Sequence, residues 1–438
     1  MTGASDTQAG KRQLRVVRES VAVPDHSFSS GPDLRKTSRR RQFLHSAALG
    51  FSALGGSAAL SATRPESWLK AGSGFSNYGV PDTESNGIIR WKSPNPSVPG
   101  EGASWTPLHQ LQGTIIPNGL HFERHHNGVP EIVSGQWTLT LHGQVKQALS
   151  FDLENLHRYP MESRIGFIEC GGNSNALWHE RPVQAAVGHL HGLVSCAEWT
   201  GIRLSTLLEE AGIEPDAQWV IADGLDASGV TTSLPLEKCL DDVLVALYQN
   251  GEPLRRENGF PARLFVPGWE GIVNTKWLRS LQLSTKPLWS KFDTVSYTDL
   301  HKDGHADRMT FTMGVKSLIT SPSLGDSLQT GFTEIRGLAW SGAGFIERVE
   351  VSADAGKSWQ LAKLQQPVLD KSFTRFTIAW QWDGKPCVLM SRAVDSAGRT
   401  QPTRKSLLDL KGINAYYHYN AILASAVLAD GTLEHVYN

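Results

Sequence analysis

A thiol followed by two glycines places a soft ligand where backbone can come close to something large. The segment Ile165-Gly166-Phe167-Ile168-Glu169-Cys170-Gly171-Gly172-Asn173 reads as an apolar strand running into a cysteine and a glycine turn. A thiolate at Cys170 could ligate a soft metal, and the glycines would let the chain turn sharply beside a bulky ligand. Free cysteine also packs as a small hydrophobe, so a plain core position is the competing reading. No second Cys or His stands at zinc spacing, so a metal on Cys170 would need ligands from a cofactor.

Two other segments carry charge in suggestive patterns. His121-Phe122-Glu123-Arg124-His125-His126 packs three histidines and an arginine into one short stretch. Adjacent histidines diverge and make a poor metal site. An arginine flanked by histidines suits an oxyanion, because guanidinium is planar, permanently charged and bidentate; a polar loop is the alternative. Further on, Asn258-Gly259-Phe260-Pro261-Ala262-Arg263 and Pro267-Gly268-Trp269-Glu270-Gly271-Ile272-Val273-Asn274-Thr275-Lys276 form a strand, a break and a loop ending in lysine. Exposed amides with Arg263 and Lys276 would hold a phosphate, and a surface ion pair is the other reading. His189 and His191, flanking a loop, are weaker candidates.

The elements that must position these residues are mixed. Residues 62 to about 130 are rich in Pro, Gly, Ser and Asn and read mostly as loop wrapped on a later core. Gln136 to Leu141 alternates as a half-buried strand. Leu204, Leu207, Leu208 and Ala211 recur at helical spacing, with Gly212 as a C-cap. Val243 to Tyr248 is a buried strand with an Asn250-Gly251 turn, and Ala262 to Val266 is another. Intermixed strands and short helices predict an α+β domain. After about residue 310 only strands and turns are expected: Ile346 to Ser352, Arg375 to Trp382 and Cys387 to Asp395, with turns at Asp354-Ala355-Gly356 and Asp383-Gly384. These predict an all-β immunoglobulin-like sandwich. The expected division is residues 1–62, 63–310 and 311–438.

Composition bounds the function. The 438 residues carry 42 Lys and Arg against 43 Asp and Glu, a net charge of -1, and nothing in that balance suggests nucleic acid, which needs a basic face. Of the four cysteines, Cys196, Cys239 and Cys387 read as buried single thiols rather than disulfide partners. Residues 1–62 read as a disordered basic leader, then Ser38-Arg39-Arg40-Arg41-Gln42-Phe43-Leu44, then a short Gly- and Ala-rich apolar run. That pattern predicts a twin-arginine export signal to the periplasm, a route for proteins already folded around a cofactor. A membrane anchor is the alternative. The run is short and interrupted by His45, and no other long apolar run occurs, so no span is expected in the mature chain.

Taken together and in order, these segments closely resemble the sulfite oxidase family of molybdopterin enzymes. The matching stretches are Phe-x-Arg-His-His, Phe-Ile-Glu-Cys-Gly-Gly-Asn, Ser-Cys-Ala-Glu-Trp-Thr-Gly, Asn-Gly-Phe-Pro-Ala-Arg and Val-Pro-Gly-Trp-Glu-Gly-Ile-Val-Asn-Thr-Lys-Trp-Leu. The likeness runs from about residue 75 to the end and includes the family's immunoglobulin-like dimerisation domain. Thr106 to Pro130, Tyr417 to Ile422 and the tail at Asp430-Gly431 are similar to its sulfane dehydrogenase branch, part of thiosulfate-oxidising systems.

The resemblance implies a molybdenum–molybdopterin cofactor with Cys170 as the protein thiolate on the metal. It implies that Arg124 meets the substrate anion beside a pterin-contacting stretch from Phe122 through His125 and His126. Asp226, Asn258, Arg263, Asn274, Thr275 and Lys276 would hold the pterin and its phosphate, and Tyr297 would stand near the metal. Two departures bear on substrate: Ser174-Asn175 stands where animal sulfite oxidases carry a second arginine, and Asn258 replaces a histidine. Fewer cations fit a larger, less charged substrate than free sulfite. The implied activity is oxidation of sulfane sulfur on a cysteine of a sulfur carrier protein. No haem-binding C-x-x-C-H occurs, so electrons would pass to a separate c-type cytochrome subunit, with a homodimer as the core of a hetero-oligomer. A sulfite dehydrogenase of the same fold and a cofactor-free binding protein built on the sandwich are the competing readings.

Overall fold

The computed structural model describes residues 77–308 and 310–437. The leader and signal expected in residues 1–62 lie outside the described residues. Val80–Asn438 form one compact unit.

Its first part is built on three sheets. Trp91–Pro94, Gly102–Trp105 and Glu123–His125 make an antiparallel sheet that places Arg124 opposite Ala103. Glu162–Glu169 pairs antiparallel with Val194–Arg203, which pairs with Leu244–Gln249; Glu252–Pro253 and Arg263–Phe265 both pair with that last strand. The third sheet runs Leu149–Phe151, Leu139–Gly143, Leu278–Ser284, Trp219–Gly224, Thr231–Pro235; the pair Leu139–Gly143 and Leu278–Ser284 is parallel, and the others are antiparallel.

Local sequence explains much of this. The helix Leu204–Ala211 buries Leu204, Leu207, Leu208 and Ala211 against the core, and Gly212 ends it at φ 69°. Truncating one such leucine to alanine costs about 2–5 kcal/mol in a packed core. Asn250 and Gly251 both take positive φ, 49° and 80°, as a two-residue hairpin between right-twisted strands requires.

From Lys316 onward two sheets face each other. One runs Lys316–Ser321, Gly331–Trp340, Thr374–Trp382, Lys363–Leu364; the other runs Gln360–Leu361, Ile346–Ser352, Cys387–Asp395, Ala424–Val427, Leu433–Val436. Ile335, Val349, Phe376 and Leu389 fill the space between. The chain is therefore an α+β part followed by a β-sandwich, with few helices. The two parts share a core: Phe167 and Val194, beside the thiol strand, pack with Trp340 and Phe373 of the sandwich.

Several details differ from the sequence reading. A helix, Arg404–Lys411, stands in the region read as strands and turns; Thr403 caps it by accepting from the Ser406 amide. His189 and His191 end a short helix, Val187–His191, instead of flanking a loop. The strand expected from Gln136 starts at Leu139, because a 3-10 turn over Ser134–Gln136 precedes it and the Trp137 indole donates to Leu278 O at 2.9 Å. All four cysteines are free thiols, and Cys387 is half-buried rather than core.

Candidate active site

Cys170 is the first residue past the strand Glu162–Glu169, and it is buried. The turn is held by backbone: Cys170 N donates to Leu193 O at 2.9 Å, and Asn173 N donates back to Cys170 O at 2.8 Å. The two glycines matter for a reason the sequence hides. Neither has positive φ; the left-handed residue of this loop is Ser174, at 70°. A Cβ on Gly171 would fall 1.7 Å from Glu270 Oε1, so the side chain is excluded by a buried carboxylate packed behind the loop. Glu169 and Glu270 form a parallel bridge, which brings a second buried carboxylate beside the loop. The Glu169 carboxylate accepts from Lys316 Nζ at 3.2 Å, Asn173 Nδ2 at 2.9 Å and Trp340 Nε1 at 2.6 Å.

In front of Cys170 an open cavity of about 720 Å³ is lined by every site residue derived from the sequence: Phe122, Arg124, His125, His126, Cys170, Asp226, Asn258, Arg263, Asn274, Thr275, Lys276 and Tyr297. His121, from the histidine cluster read as an anion site, joins the lining, as do Ile168, Val230, Glu257, Gly271, Ile272 and Trp277, to which the sequence had assigned no role. Periodicity could not find Ile168 or Ile272, since an apolar residue beside a cavity looks like any core residue. Trp277 and Tyr297 both adopt left-handed backbone, at φ 52° and 54°. Such conformations cost about 1–3 kcal/mol and persist where the surroundings over-determine them.

The cavity's charge is arranged in two places. Near the strand Glu123–His125, Arg124 is held by Glu101 Oε1 at 3.0 Å and donates to the carbonyls of Gly102 and His125. Burial and the nearby Arg124 push His126 down to about 3, so its ring is neutral; its Nε2 lies 3.1 Å from the Tyr297 hydroxyl. Burial also raises the Tyr297 phenol well above its ordinary value.

Deeper in, Arg263 is not a surface ion-pair partner. It is buried, stacks at 4.9 Å over Trp199, and donates to the carbonyls of Asn258, Asn274 and Leu264. Lys276 donates to Arg124 O and Glu257 O, both at 3.2 Å, with His125 Nδ1 at 2.9 Å. Among the described residues no carboxylate lies within ion-pair distance of either cation. Burial and Arg263 together hold the Lys276 ammonium well below the usual lysine range, and burial takes Arg263 down to about 9. Glu123 and Asp226 offset part of the Lys276 charge from beyond ion-pair distance, and two buried cations this close still suit an anion. Asn274 uses its side-chain amide inside the loop, accepting from Val266 N at 2.7 Å and donating to Glu270 O at 3.0 Å. Thr275 Oγ1 lies 3.1 Å from Thr232 Oγ1, and Asp226 accepts from Val230 N at 3.2 Å.

These residues fit a phosphate-bearing pterin with a metal. Asn258 Oδ1 and His121 Nε2 are buried without protein partners, which suits a ligand rich in amide and amine groups. Burial pushes the Cys170 thiol up to about 11 in the protein alone, so loading a metal there must displace a proton.

A relay the sequence missed stands behind Gly171. His418, at φ 56°, donates its backbone N–H to Gly171 O at 2.8 Å. Its Nδ1 lies 2.7 Å from Asp299 Oδ2, and its Nε2 lies 3.5 Å from Glu270 Oε1. Burial opposes charge on this ring, yet the Glu270 and Asp299 carboxylates raise it to about 9. A histidine raised above its unfolded value of 6.5 stabilises the fold fully below that pH and loses the effect as pH passes about 9. His418→Asn is therefore expected to lower Tm near neutrality, by about 1–3 kcal/mol of stability. The gap from wild type should close as the pH is raised beyond the folded value. A gap that stays constant in thermal melts across that range would remove the charge from the account.

A thiol at a strand end, facing a cavity with paired buried cations at its far side, defines a metal-pterin oxidoreductase site. Residues 126–292 match the family model of the oxidoreductase molybdopterin binding domain, and residues 307–425 match that of the Mo-co oxidoreductase dimerisation domain. The chain belongs to the sulfite oxidase family of molybdopterin-dependent oxidoreductases. It is 30% identical to sulfite oxidase of Gallus gallus over 328 residues, covering 68% of this chain and 71% of that one. It is 31% identical to mitochondrial sulfite oxidase of Macaca fascicularis over 343 residues, covering 71% of this chain and 62% of that one. The chain thus spans about six-tenths of the mitochondrial relatives' length. The crystal structure of the sulfane dehydrogenase SoxCD from Paracoccus pantotrophus superposes with a TM-score of 0.84 at 39% identity, covering 88% of this chain and all of that one.

Proposed function

We propose that this chain oxidises sulfane sulfur carried on a cysteine of a partner protein, as the molybdenum subunit of a thiosulfate-oxidising system. Residues 63–310 would hold the cofactor and residues 311–438 would make a homodimer, working in the periplasm after twin-arginine export. The observation that carries the substrate choice is the charge around Cys170. Ser174, in the stretch where animal sulfite oxidases carry a second arginine, is buried and turned inward onto Lys316 Nζ at 2.6 Å and His191 Nδ1 at 2.7 Å. Lys316 in turn is neutralised by Glu169. Arg124 brings its charge to the thiol, and Glu101 offsets part of it. Such a pocket favours a neutral or singly charged sulfur over a doubly charged sulfite ion.

Held at Cys170, a molybdenum cofactor would supply oxygen-atom transfer and two-electron redox chemistry. The chain's own residues do the rest. Cys170 would hold the metal on a loop tied to Glu169 through Asn173 and packed against Glu270. Arg263, Lys276, Asp226 and Asn258 seat the pterin end. Arg124 donates hydrogen bonds to the oxygens gathering on the sulfur, and the Tyr297 hydroxyl, set by His126, stands ready to hold a proton. Electrons would leave to a c-type cytochrome. The sulfite oxidase relatives favour free sulfite as the second reading.

The two readings separate in one assay. The molybdenum-loaded protein is given sulfite, or thiosulfate bound to a carrier-protein cysteine, with cytochrome c reduction as the signal. Electrons are expected from the carrier-bound sulfur. Faster reduction with sulfite alone would overturn the proposal in favour of a sulfite dehydrogenase, and a purified chain devoid of molybdenum would return it to a binding protein.

A further inference from the structure

Just past Tyr297 the chain makes a hairpin that gathers a second group of metal-binding side chains. The strands Thr298–Leu300 and Ala306–Arg308 pair antiparallel, with Leu300 opposite Ala306. The turn between them is fixed by backbone: His301 N donates to His305 O at 2.8 Å, Gly304 N donates to His301 O at 3.0 Å, and Gly304 sits at φ 91°. This geometry lays the rings of His301 and His305 face to face, with centroids 4.2 Å apart and 9° from parallel. Asp307 reaches both. Its Oδ2 lies 2.7 Å from His301 Nε2, and its Oδ1 lies 3.8 Å from His305 Nε2. One ligand atom from each of the three residues lies within 4.8 Å of the others.

A further contact separates this group from an ordinary surface ion pair. The remaining ring nitrogen of His305, Nδ1, is hydrogen bonded to the Asp303 carboxylate. A carboxylate on one imidazole nitrogen fixes the tautomer and frees the other nitrogen as a lone pair, the arrangement metal-binding histidines nearly always have. We propose that His301, His305 and Asp307 bind one divalent cation of the zinc class, with solvent completing its shell. Two imidazoles and one carboxylate suit zinc, copper or nickel rather than magnesium or calcium, which take oxygen shells. Bonds of about 2.0–2.2 Å in a tetrahedral shell set ligand atoms about 3.4 Å apart, between the 2.7 and 3.8 Å of the two Asp307–histidine contacts here. His301 is mostly covered while His305 and Asp307 are half-exposed, leaving an entry path from solvent. The cation would tie the hairpin that leads out of the cavity at Tyr297 and carries Asp299, the partner of His418. It is a clamp on the wall of the active site and takes no part in the chemistry there.

The test uses untagged molybdenum-loaded protein, dialysed against chelator and titrated with Zn²⁺ by calorimetry, with zinc and molybdenum counted together by elemental analysis. The wild type is expected to take up one zinc per chain at micromolar affinity or better. The double variant His305→Ala/Asp307→Ala should lose that uptake, and Asp303→Asn should weaken it about ten- to a hundredfold, the size of an outer-shell effect. Molybdenum content should stay unchanged in each variant, which distinguishes this site from the cofactor site. Absence of saturable zinc binding by the wild type, or equal affinity in the double variant, would overturn the proposal.

Discussion

Cys170→Ser is expected to leave a folded protein with about one-thousandth of wild-type turnover or less. A metal centre that loses its soft protein ligand forfeits several kcal/mol of activation, and about 4 kcal/mol is a thousandfold. The fold should survive because serine is nearly the same size, and the loop is fixed by Leu193 O, Asn173 and Glu270 rather than by the sulfur. The check pairs steady-state turnover with molybdenum content and a thermal melt. Full activity in the serine variant would end the ligand assignment, whereas loss of both activity and Tm would point to packing.

Arg124→Gln carries the second large effect. The guanidinium is held in advance by Glu101, Gly102 O and His125 O, so it loses little freedom when substrate arrives. Its charge reaches both the Cys170 thiol and the Tyr297 phenol. A preorganised donor aimed at developing charge contributes about 2–4 kcal/mol, so kcat/KM should fall about 30- to 1000-fold, with a strong rise in KM. Lysine should not restore it, because a single ammonium cannot match a planar fork anchored on three acceptors. Unchanged kinetics in the glutamine variant would remove Arg124 from the substrate site.

These effects show how unevenly the site was legible. The helix Leu204–Ala211 and the strands Ile346–Ser352 and Cys387–Asp395 follow from apolar periodicity, because one buried face is enough to write such a pattern. The helix Arg404–Lys411 escaped, since a half-exposed helix with Leu407 as its buried residue leaves no clear stripe. Cys170, Arg124 and Lys276 were visible as residue types in telling company, but their spacing also allowed a core thiol, a polar loop and a surface ion pair.

What the sequence determined by itself was the family, through ordered motifs, and the inventory of groups able to hold a metal, a pterin and an anion. What tertiary structure decided was which of those groups meet, and why. Gly171 is glycine because Glu270, a hundred residues on, lies where a side chain would be. Arg263 and Lys276 lie together in the cavity wall, and among the described residues neither has a carboxylate within ion-pair distance. His418 supports the thiol loop from the far end of the chain. Local pattern records what each segment buries, whereas charge balance and close approach belong to pairs of distant segments and exist only once the chain has folded.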